Sequence, residues 1–313
     1  MNRKVKGYVL GSVAAATYGM NPLFALPLYA DGMNTDSVLF FRYSLAIPFL
    51  AMMLILRGRD FKVSAKETGV LAIMGFLLAI SSLALFMSYS YMDAGIASTM
   101  LFVYPIMVAV LMTFFFKEKL TLQTVICILL ALTGIALLYQ SPDGTTLSLA
   151  GVSLVFVSSL SYAIYIVGIN RPTLIGMPTL KVTFYVLLLG LSIYIIRLIM
   201  AGNIDLPTKW YLWFNVFALA IFPTCISFLC TTSAIQYIGA TPTAILGALE
   251  PVTAIFFGVT VFGEQLTMRE AFGVVLIILA VTFVVTGGKM AGLFIRLRKL
   301  FPSLNIRHWR LHR

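Results

Sequence analysis

One carboxylate lies in the middle of a long apolar stretch, AILGALEPVTAIFFGV, which covers residues 244–259. Glu250 stands there beside Pro251, about 14 Å of helical rise from Thr241 at roughly 1.5 Å per residue. A charge at membrane depth is costly, so a carboxylate there is a functional hypothesis by default. Glu250 would carry a proton in a dry setting or bind a substrate ammonium group in a wet cavity. The structural alternative is a neutral side chain that hydrogen-bonds a neighbouring helix.

Other polar side chains occur in pairs along the apolar stretches. Tyr18 and Asn21 are three residues apart and share a helix face, as do Tyr162 and Tyr165. Hydroxyl, amide and ring groups together suit a zwitterionic or aromatic metabolite. The alternative is that the tyrosines only mark the membrane interface, where this residue type is enriched.

Three prolines interrupt apolar stretches and are predicted kink or gate positions. A proline removes one intrahelical hydrogen bond and displaces the carbonyl four residues before it. For Pro251 that carbonyl belongs to Gly247, which has no side chain to cover it, so we expect this oxygen to face a cavity. A packing kink and a gate are both compatible with this pattern. The three positions are Pro22, Pro105 and Pro251.

Arg42 lies about six residues into a second apolar stretch, near its predicted outer end. Its long side chain could reach the lipid headgroups or bond the carbonyls of a neighbouring helix. Contact with a substrate is the functional alternative, and the sequence leaves both open.

The composition excludes a water-soluble globule. The 313 residues are 60% hydrophobic and 11% charged, with a mean hydropathy of +0.99, whereas soluble domains are about a quarter charged. The net charge of +11 comes from short clusters between apolar stretches, which is typical of cytoplasmic loops rather than of a nucleic-acid-binding face. Cys127, Cys225 and Cys230 lie in apolar stretches without C-x-x-C spacing. We predict an all-α integral membrane protein without a metal or other cofactor.

Ten apolar stretches are each close to the ~20 residues that a helix needs to cross hydrocarbon. With both termini in the cytoplasm, lysine and arginine concentrate in the inner segments, and only Lys209 and Arg269 fall at outer loops. The N-terminal residues resemble a signal peptide, but the apolar stretch continues through Leu28, so we expect it to span the membrane. The predicted spans are 7–29, 36–56, 68–89, 94–116, 121–140, 148–169, 179–201, 210–236, 241–262 and 268–287.

The second half of the chain repeats the first. Residues 91–121 align with 237–267, so that Pro105 falls on Pro251 and Glu118 on Glu264, whereas Tyr104 falls on Glu250. Because each half has five spans, an odd number, the two halves are expected to insert with opposite orientation. Inverted repeats of this kind are common in secondary transporters.

Each half carries a proline in its fourth span thirteen residues before a Glu-x-Leu-Thr, in KEKLT and GEQLT. This pattern, with VYP, LEPV, Gly134 and Gly273, resembles the drug/metabolite transporter superfamily and, within it, the EamA domain. The resemblance covers residues 5 to 288 and implies two EamA-type repeats, 5–141 and 148–288. The sequence departs from the family pattern at TYG (residues 17–19), where many members have Trp-Gly. Cys127 and Ala280 also replace expected glycines.

The resemblance implies a central cavity lined by the first, third, fourth, sixth and eighth spans. The sequence therefore predicts a secondary transporter, and we expect an exporter of a small polar metabolite such as an amino acid in the inner (plasma) membrane. A facilitative pore, a non-transporting subunit and an intramembrane enzyme are the alternatives, and no catalytic motif favours the last. The predicted substrate-binding residues are Tyr18, Asn21, Tyr89, Tyr104, Tyr162, Tyr165 and Glu250, with Glu250 also the predicted proton-coupling residue.

The predicted partners are a small-molecule substrate and the lipid bilayer. Basic and apolar residues alternate in the C-terminal segment 289–313. We expect this tail to lie in the cytoplasm against anionic lipid, and the alternative is a solvated, disordered tail.

Overall fold

The computed structural model describes residues 2–92, 97, 100–119, 121–138, 148–261 and 268–286. These residues form helices and turns, and no strand occurs among them, as predicted. A π-helical turn, Ile221–Ile226, joins the helices Leu212–Ala220 and Ser227–Ile238. The helices are α1 Arg3–Tyr18, α2 Asn21–Ala30, α3 Thr35–Leu56, α4 Ala65–Ser88, α5 Tyr104–Phe116, α6 Leu122–Leu138, α7 Leu149–Ile169, α8 Pro172–Ile175, α9 Thr179–Ala201, α10 Leu212–Ala220, α11 Ser227–Ile238, α12 Ala240–Leu246, α13 Leu249–Val261 and α14 Met268–Thr286.

Six helical segments of the described chain are long and apolar enough to cross a membrane. They are Arg3–Ala30, Thr35–Leu56, Ala65–Ser88, Leu149–Ile169, Thr179–Ala201 and Leu212–Ile238. The other four predicted spans, 94–116, 121–140, 241–262 and 268–287, each include residues outside the described ranges. Ten spans therefore remain a prediction, and the tail 289–313 also lies outside the described residues.

Polar caps fix the helix ends that follow the loops. The Ser64 hydroxyl accepts the Glu67 amide at 3.3 Å, and the Glu67 carboxylate accepts the Ser64 amide at 2.7 Å, which together form a capping box. Asn34 accepts the Ser37 amide in the same way at 2.7 Å. These bonds satisfy backbone donors that have no partner within the first helical turn.

The helix packing repeats between the two halves. α4 of the first half packs against α7 of the second half, and their repeat counterparts, α11 and α1, also pack together. The pairs α9 with α4 and α3 with α10 are related in the same way. The pairs α3 with α9 and α6 with α14 each join a helix to its own repeat counterpart. Helices of the two halves thus pack against one another throughout the described bundle.

Two glycines permit the close crossing of α6 and α14. A Cβ atom on Gly134 would lie 2.7 Å from the Gly273 carbonyl oxygen and 2.8 Å from Ile277 Cγ1. Real Cβ atoms do not approach a backbone oxygen this closely, so the two helices meet only because residue 134 lacks a side chain. Small residues at helix crossings are the usual means of close packing in membranes.

Gly134→Val is expected to destabilise the protein by about 2–3 kcal/mol, because overpacking forces α6 and α14 apart. Gly69→Val in α4 is the matched control, since nothing lies within 4 Å of its added Cβ. Melting temperatures of the two variants in detergent measure the difference. If Gly134→Val melts no lower than Gly69→Val, the close crossing does not stabilise the fold.

Polar contacts between the halves lie at the ends of α3 and α9. At one end Arg197 forms a two-bond ion pair with Asp36, at 2.6 and 3.0 Å. At the other end Lys181 bonds the Asp60 carboxylate and, at 3.0 Å, the Lys62 carbonyl. The two helices are therefore held together at both of their ends.

Hydrogen bonding from the Lys181 ammonium holds the pKa of the Asp60 carboxyl below its usual range. Because the folded-state pKa is lowered, the contribution of the pair to stability is present at neutral pH and is lost as the pH falls through that value. We expect Asp60→Asn to melt slightly below the wild type at pH 7, and the difference to shrink below about pH 4. The effect is small because the Asp60 side chain is 66% exposed and screened by water. A difference that stays constant with pH would contradict this assignment.

Candidate substrate site

Three apolar segments are broken where their prolines stand. Pro22, Pro105 and Pro251 each lie in the first turns of a helix, namely α2, α5 and α13. Residues 19–20, 102–103 and 247–248 separate these helices from the preceding helical residues. The Leu101 carbonyl, displaced by Pro105, accepts the Ser159 hydroxyl of α7 at 3.0 Å. Broken backbone at membrane depth is tolerated only with such replacement partners.

Gly247 has a steric role that the sequence did not reveal. Its carbonyl oxygen accepts the Glu250 amide at 2.8 Å and so is already paired across the break. The missing side chain instead makes room for Tyr104, since a Cβ on Gly247 would overlap the Tyr104 hydroxyl. That hydroxyl donates to the Ala244 carbonyl at 3.2 Å. Tyr104 therefore links the first half of the chain to the break in the second.

Four of the predicted residues form one aromatic cluster with Tyr162 at its centre. The Tyr162 ring is stacked on Tyr18 at 6.1 Å and on Tyr165 at 6.0 Å between centroids. It meets Tyr104 edge to face at 4.9 Å. All four rings are buried. The cluster brings together α1, α5 and α7, which are far apart in the chain.

Two small cavities adjoin this cluster, and Glu250 lines both of them. Each has room for on the order of one water molecule. The first cavity is bordered by Tyr104, Tyr162 and Gly247, and also by Gly11, Ala14, Ala15, Ile166, Ser227, Thr231 and Thr243. The second is lined by Tyr18, Gly19, Asn21, Pro22, Tyr89, Leu101, Glu250 and Pro251.

Glu250 is half-buried at the start of α13, and no described residue hydrogen-bonds or ion-pairs with its carboxylate. Gly19 approaches the Glu250 backbone so closely that a Cβ there would strike the Glu250 carbonyl. The break between α1 and α2 therefore lies directly against the start of α13. The carboxylate is thus free to meet a proton or a cationic group that enters either cavity.

The structure places Tyr18, Asn21, Tyr89, Tyr104, Tyr162 and Glu250 at the cavities, and Tyr165 against Tyr162 without lining either. Asn170 and Gln236 are polar residues at the ends of the sixth and eighth predicted spans, but they do not line either cavity. Asn170 contacts Met112 at 3.8 Å, and Gln236 donates to the Leu174 and Met177 carbonyls. No group of three or more potential metal ligands occurs among the described residues.

Arg42 bonds a carbonyl of a neighbouring helical segment, one of the alternatives that the sequence left open. The side chain is fully buried rather than extended to the headgroups. It donates from Nε to Thr224 at 2.6 Å and from Nη2 to the Pro223 carbonyl at 3.2 Å. Both acceptors belong to the π-helical turn, whose only sequence signal is a proline in an apolar stretch.

The sequence matches a known family of membrane proteins. The profile of the EamA-like transporter family matches residues 5–140 and again residues 149–286. The chain belongs to the EamA-like transporter family. The resemblance seen in KEKLT and GEQLT is thereby confirmed, and the family match shows two copies of the domain.

Relatives of this EamA chain carry the same general description. An uncharacterized transporter of Archaeoglobus fulgidus is 28% identical over 270 residues, covering 86% of this chain and 92% of that protein. The uncharacterized transporter YyaM of Bacillus subtilis is 23% identical over 271 residues, covering 82% and 87%. A crystal structure with 16% sequence identity matches with a TM-score of 0.75 over 88% of this chain and 95% of that one, which shows the shared fold. The EamA chain is a multi-pass membrane transporter.

Proposed function

We propose that this EamA transporter is a secondary exporter of a small polar metabolite such as an amino acid, working by alternating access between its repeats. The observation that carries the proposal is the position and size of the two cavities. Residues from both halves line them, and each holds only about one water molecule. A metabolite therefore reaches Glu250 only after the halves move apart on one side.

The proposed topology has ten spans in two inverted repeats, 5–141 and 148–288, with both termini in the cytoplasm. The proposed location is the inner (plasma) membrane. Helices broken near Pro22, Pro105 and Pro251 support this topology, because discontinuous helices in secondary transporters border the substrate site at the repeat interface. The tail 289–313 is proposed to lie at the anionic inner leaflet.

A facilitative pore is the nearest alternative. It requires a continuous hydrated path, whereas the described residues enclose two small cavities at the aromatic cluster. A non-transporting subunit would not explain why Glu250 lines both cavities with a carboxylate that no described residue bonds. An intramembrane enzyme has no support from a catalytic motif in the sequence.

Reconstitution of the purified full chain into proteoliposomes tests the proposal. Labelled amino acids and other small polar metabolites are supplied one at a time, with and without a pH gradient. We expect at least one of them to accumulate above protein-free liposomes, and the gradient to raise its uptake if Glu250 carries protons. Uptake that only equilibrates, with no saturation, would support the pore, and no uptake of any compound by folded protein would contradict the proposed substrate class.

A further inference from the structure

Arg42 is a buried cation, and one of its guanidinium nitrogens has no hydrogen-bond partner among the described residues. Its side chain is 0% exposed, and the only ion pairs among the described residues are Lys181–Asp60 and Arg197–Asp36. Nε and Nη2 are bonded to the π-helical turn, but buried Nη1 has no partner in the described part of the chain. An unpaired buried charge costs several kcal/mol by the usual estimates. The arrangement suits an anionic group that the described residues do not supply.

Three aromatic rings surround this guanidinium. Its Cζ atom lies 5.2 Å from the ring centroid of Phe86 and 5.8 Å from those of Tyr18 and Phe228. Such rings stabilise a desolvated cation and hold it in place. Tyr18 also lines the cavity that Glu250 lines. Tyr18 thus contacts Arg42 and also borders that cavity, and it is the last residue of α1 before the break at residues 19–20.

Asn21 supplies a second unused polar group beside Tyr18. It is 2% exposed, it lines the same cavity, and neither its amide nitrogen nor its amide oxygen has a partner among the described residues. It also begins the ten-residue helix α2, which has no side-chain cap. A free helix N-terminus favours a negative group through its partial positive charge. Asn21 and the start of α2 thus place polar groups at the cavity that Glu250 also lines.

We propose that Arg42 and Asn21 form the carboxylate subsite of a zwitterionic substrate whose ammonium group binds Glu250. Tyr18 covers Arg42 while the site is empty, and rotation about the break at residues 19–20 moves its ring aside so that Nη1 meets the substrate carboxylate. A carboxylate bound to a guanidinium forms a strong charge-assisted hydrogen bond. This inference rests on the proposed transport of a small polar metabolite and specifies which groups that metabolite must carry.

Matched sets of compounds test the subsite on the full-length protein. For each of a series of L-amino acids, binding is compared with that of the amine lacking the carboxylate and the N-acetyl derivative lacking the ammonium group. Dissociation constants are measured by thermophoresis in detergent. We expect at least one amino acid to bind, and its amine and N-acetyl partners to bind at least about 10-fold more weakly. Amines that bind as tightly as their amino acids would overturn the inference and leave the proposed transport of a polar metabolite standing.

Substitutions at Arg42 and Asn21 test whether these residues cause the preference for the amino acid over its amine. Arg42→Gln is expected to raise the dissociation constant of the amino acid about 10- to 100-fold without weakening the amine. Arg171→Gln, an exposed arginine, is the matched control, and Thr224→Val removes a hydrogen bond of Arg42 but keeps its charge. If Arg42→Gln does not fold, Asn21→Leu, similar in size, is expected to reduce the preference for the amino acid over its amine. Retained wild-type preference in Asn21→Leu and in any folded Arg42 variant would overturn the subsite. If no compound of any set binds or is transported by the folded wild type, the proposed function fails first and the subsite with it.

Discussion

Glu250→Gln is expected to lower transport about 100-fold and to remove its response to a pH gradient. Glutamine keeps the shape of the side chain but can neither carry a proton nor neutralise an ammonium group. Loss of one partner of a buried charged contact usually costs 2–5 kcal/mol, which corresponds to roughly 30-fold or more. Because Glu250 lines both cavities and no described group bonds its carboxylate, nothing nearby replaces it. Initial rates of uptake into proteoliposomes, at several external pH values, measure both effects.

Glu118→Gln is the control for this substitution. Glu118 is an exposed carboxylate at the end of α5 whose contact is with Thr241 at 3.2 Å, away from both cavities. We expect its transport rate to stay within about twofold of the wild type, as for most surface substitutions. Wild-type rates and unchanged pH dependence in Glu250→Gln would show that this carboxylate neither carries protons nor holds the substrate.

Gly247→Ala is expected to reduce transport about 10- to 100-fold, although it adds a single methyl group. The backbone at this position has φ −53° and ψ −21°, which alanine adopts without strain. Its Cβ, however, would overlap the Tyr104 hydroxyl, so Tyr104 must leave its place between Tyr162 and the Ala244 carbonyl. The effect is therefore one of displacing a cavity wall rather than of straining the chain. The same uptake assay measures it.

A second substitution separates this explanation from a general loss of packing. Tyr104→Phe removes the atom that the new methyl group strikes, so the double variant Gly247→Ala/Tyr104→Phe should recover part of the lost activity. Gly69→Ala, where the added Cβ meets open space, should be neutral. A double variant no better than Gly247→Ala alone would mean that the two residues do not act through this contact.

The sequence predicts where the helices break but not how they are rotated. Pro22, Pro105 and Pro251 each lie in the first turn of a helix, where the backbone N–H that proline lacks would have no intrahelical partner. Tyr18, Tyr104 and Tyr162 lie at the cavities because each falls at mid-span, close to such a break or to a helix that covers it. The apolar stretches and the prolines that interrupt them thus predict how far along its span each of these side chains lies.

Arg42 shows what this kind of prediction misses. The segment α3 is apolar on nearly every side, so its pattern does not reveal which face turns towards the other half of the chain. Only the π-helical turn at Ile221–Ile226 explains the placement, because it presents the Thr224 hydroxyl and the Pro223 carbonyl to the guanidinium. Likewise, the sequence does not reveal that the Glu250 amide bonds the Gly247 carbonyl across the break. Such local pairings depend on tertiary packing and leave no mark in one sequence.

Counterflow is the most direct test of alternating access at Glu250. Proteoliposomes are loaded with an unlabelled amino acid that the protein transports, diluted into a trace of the labelled compound, and sampled over time. A carrier with one site that faces each side in turn accumulates label transiently above its equilibrium level, and we predict this overshoot for the wild type and its loss in Glu250→Gln. Label that enters at the same rate with empty vesicles and never exceeds equilibrium would contradict the proposed mechanism.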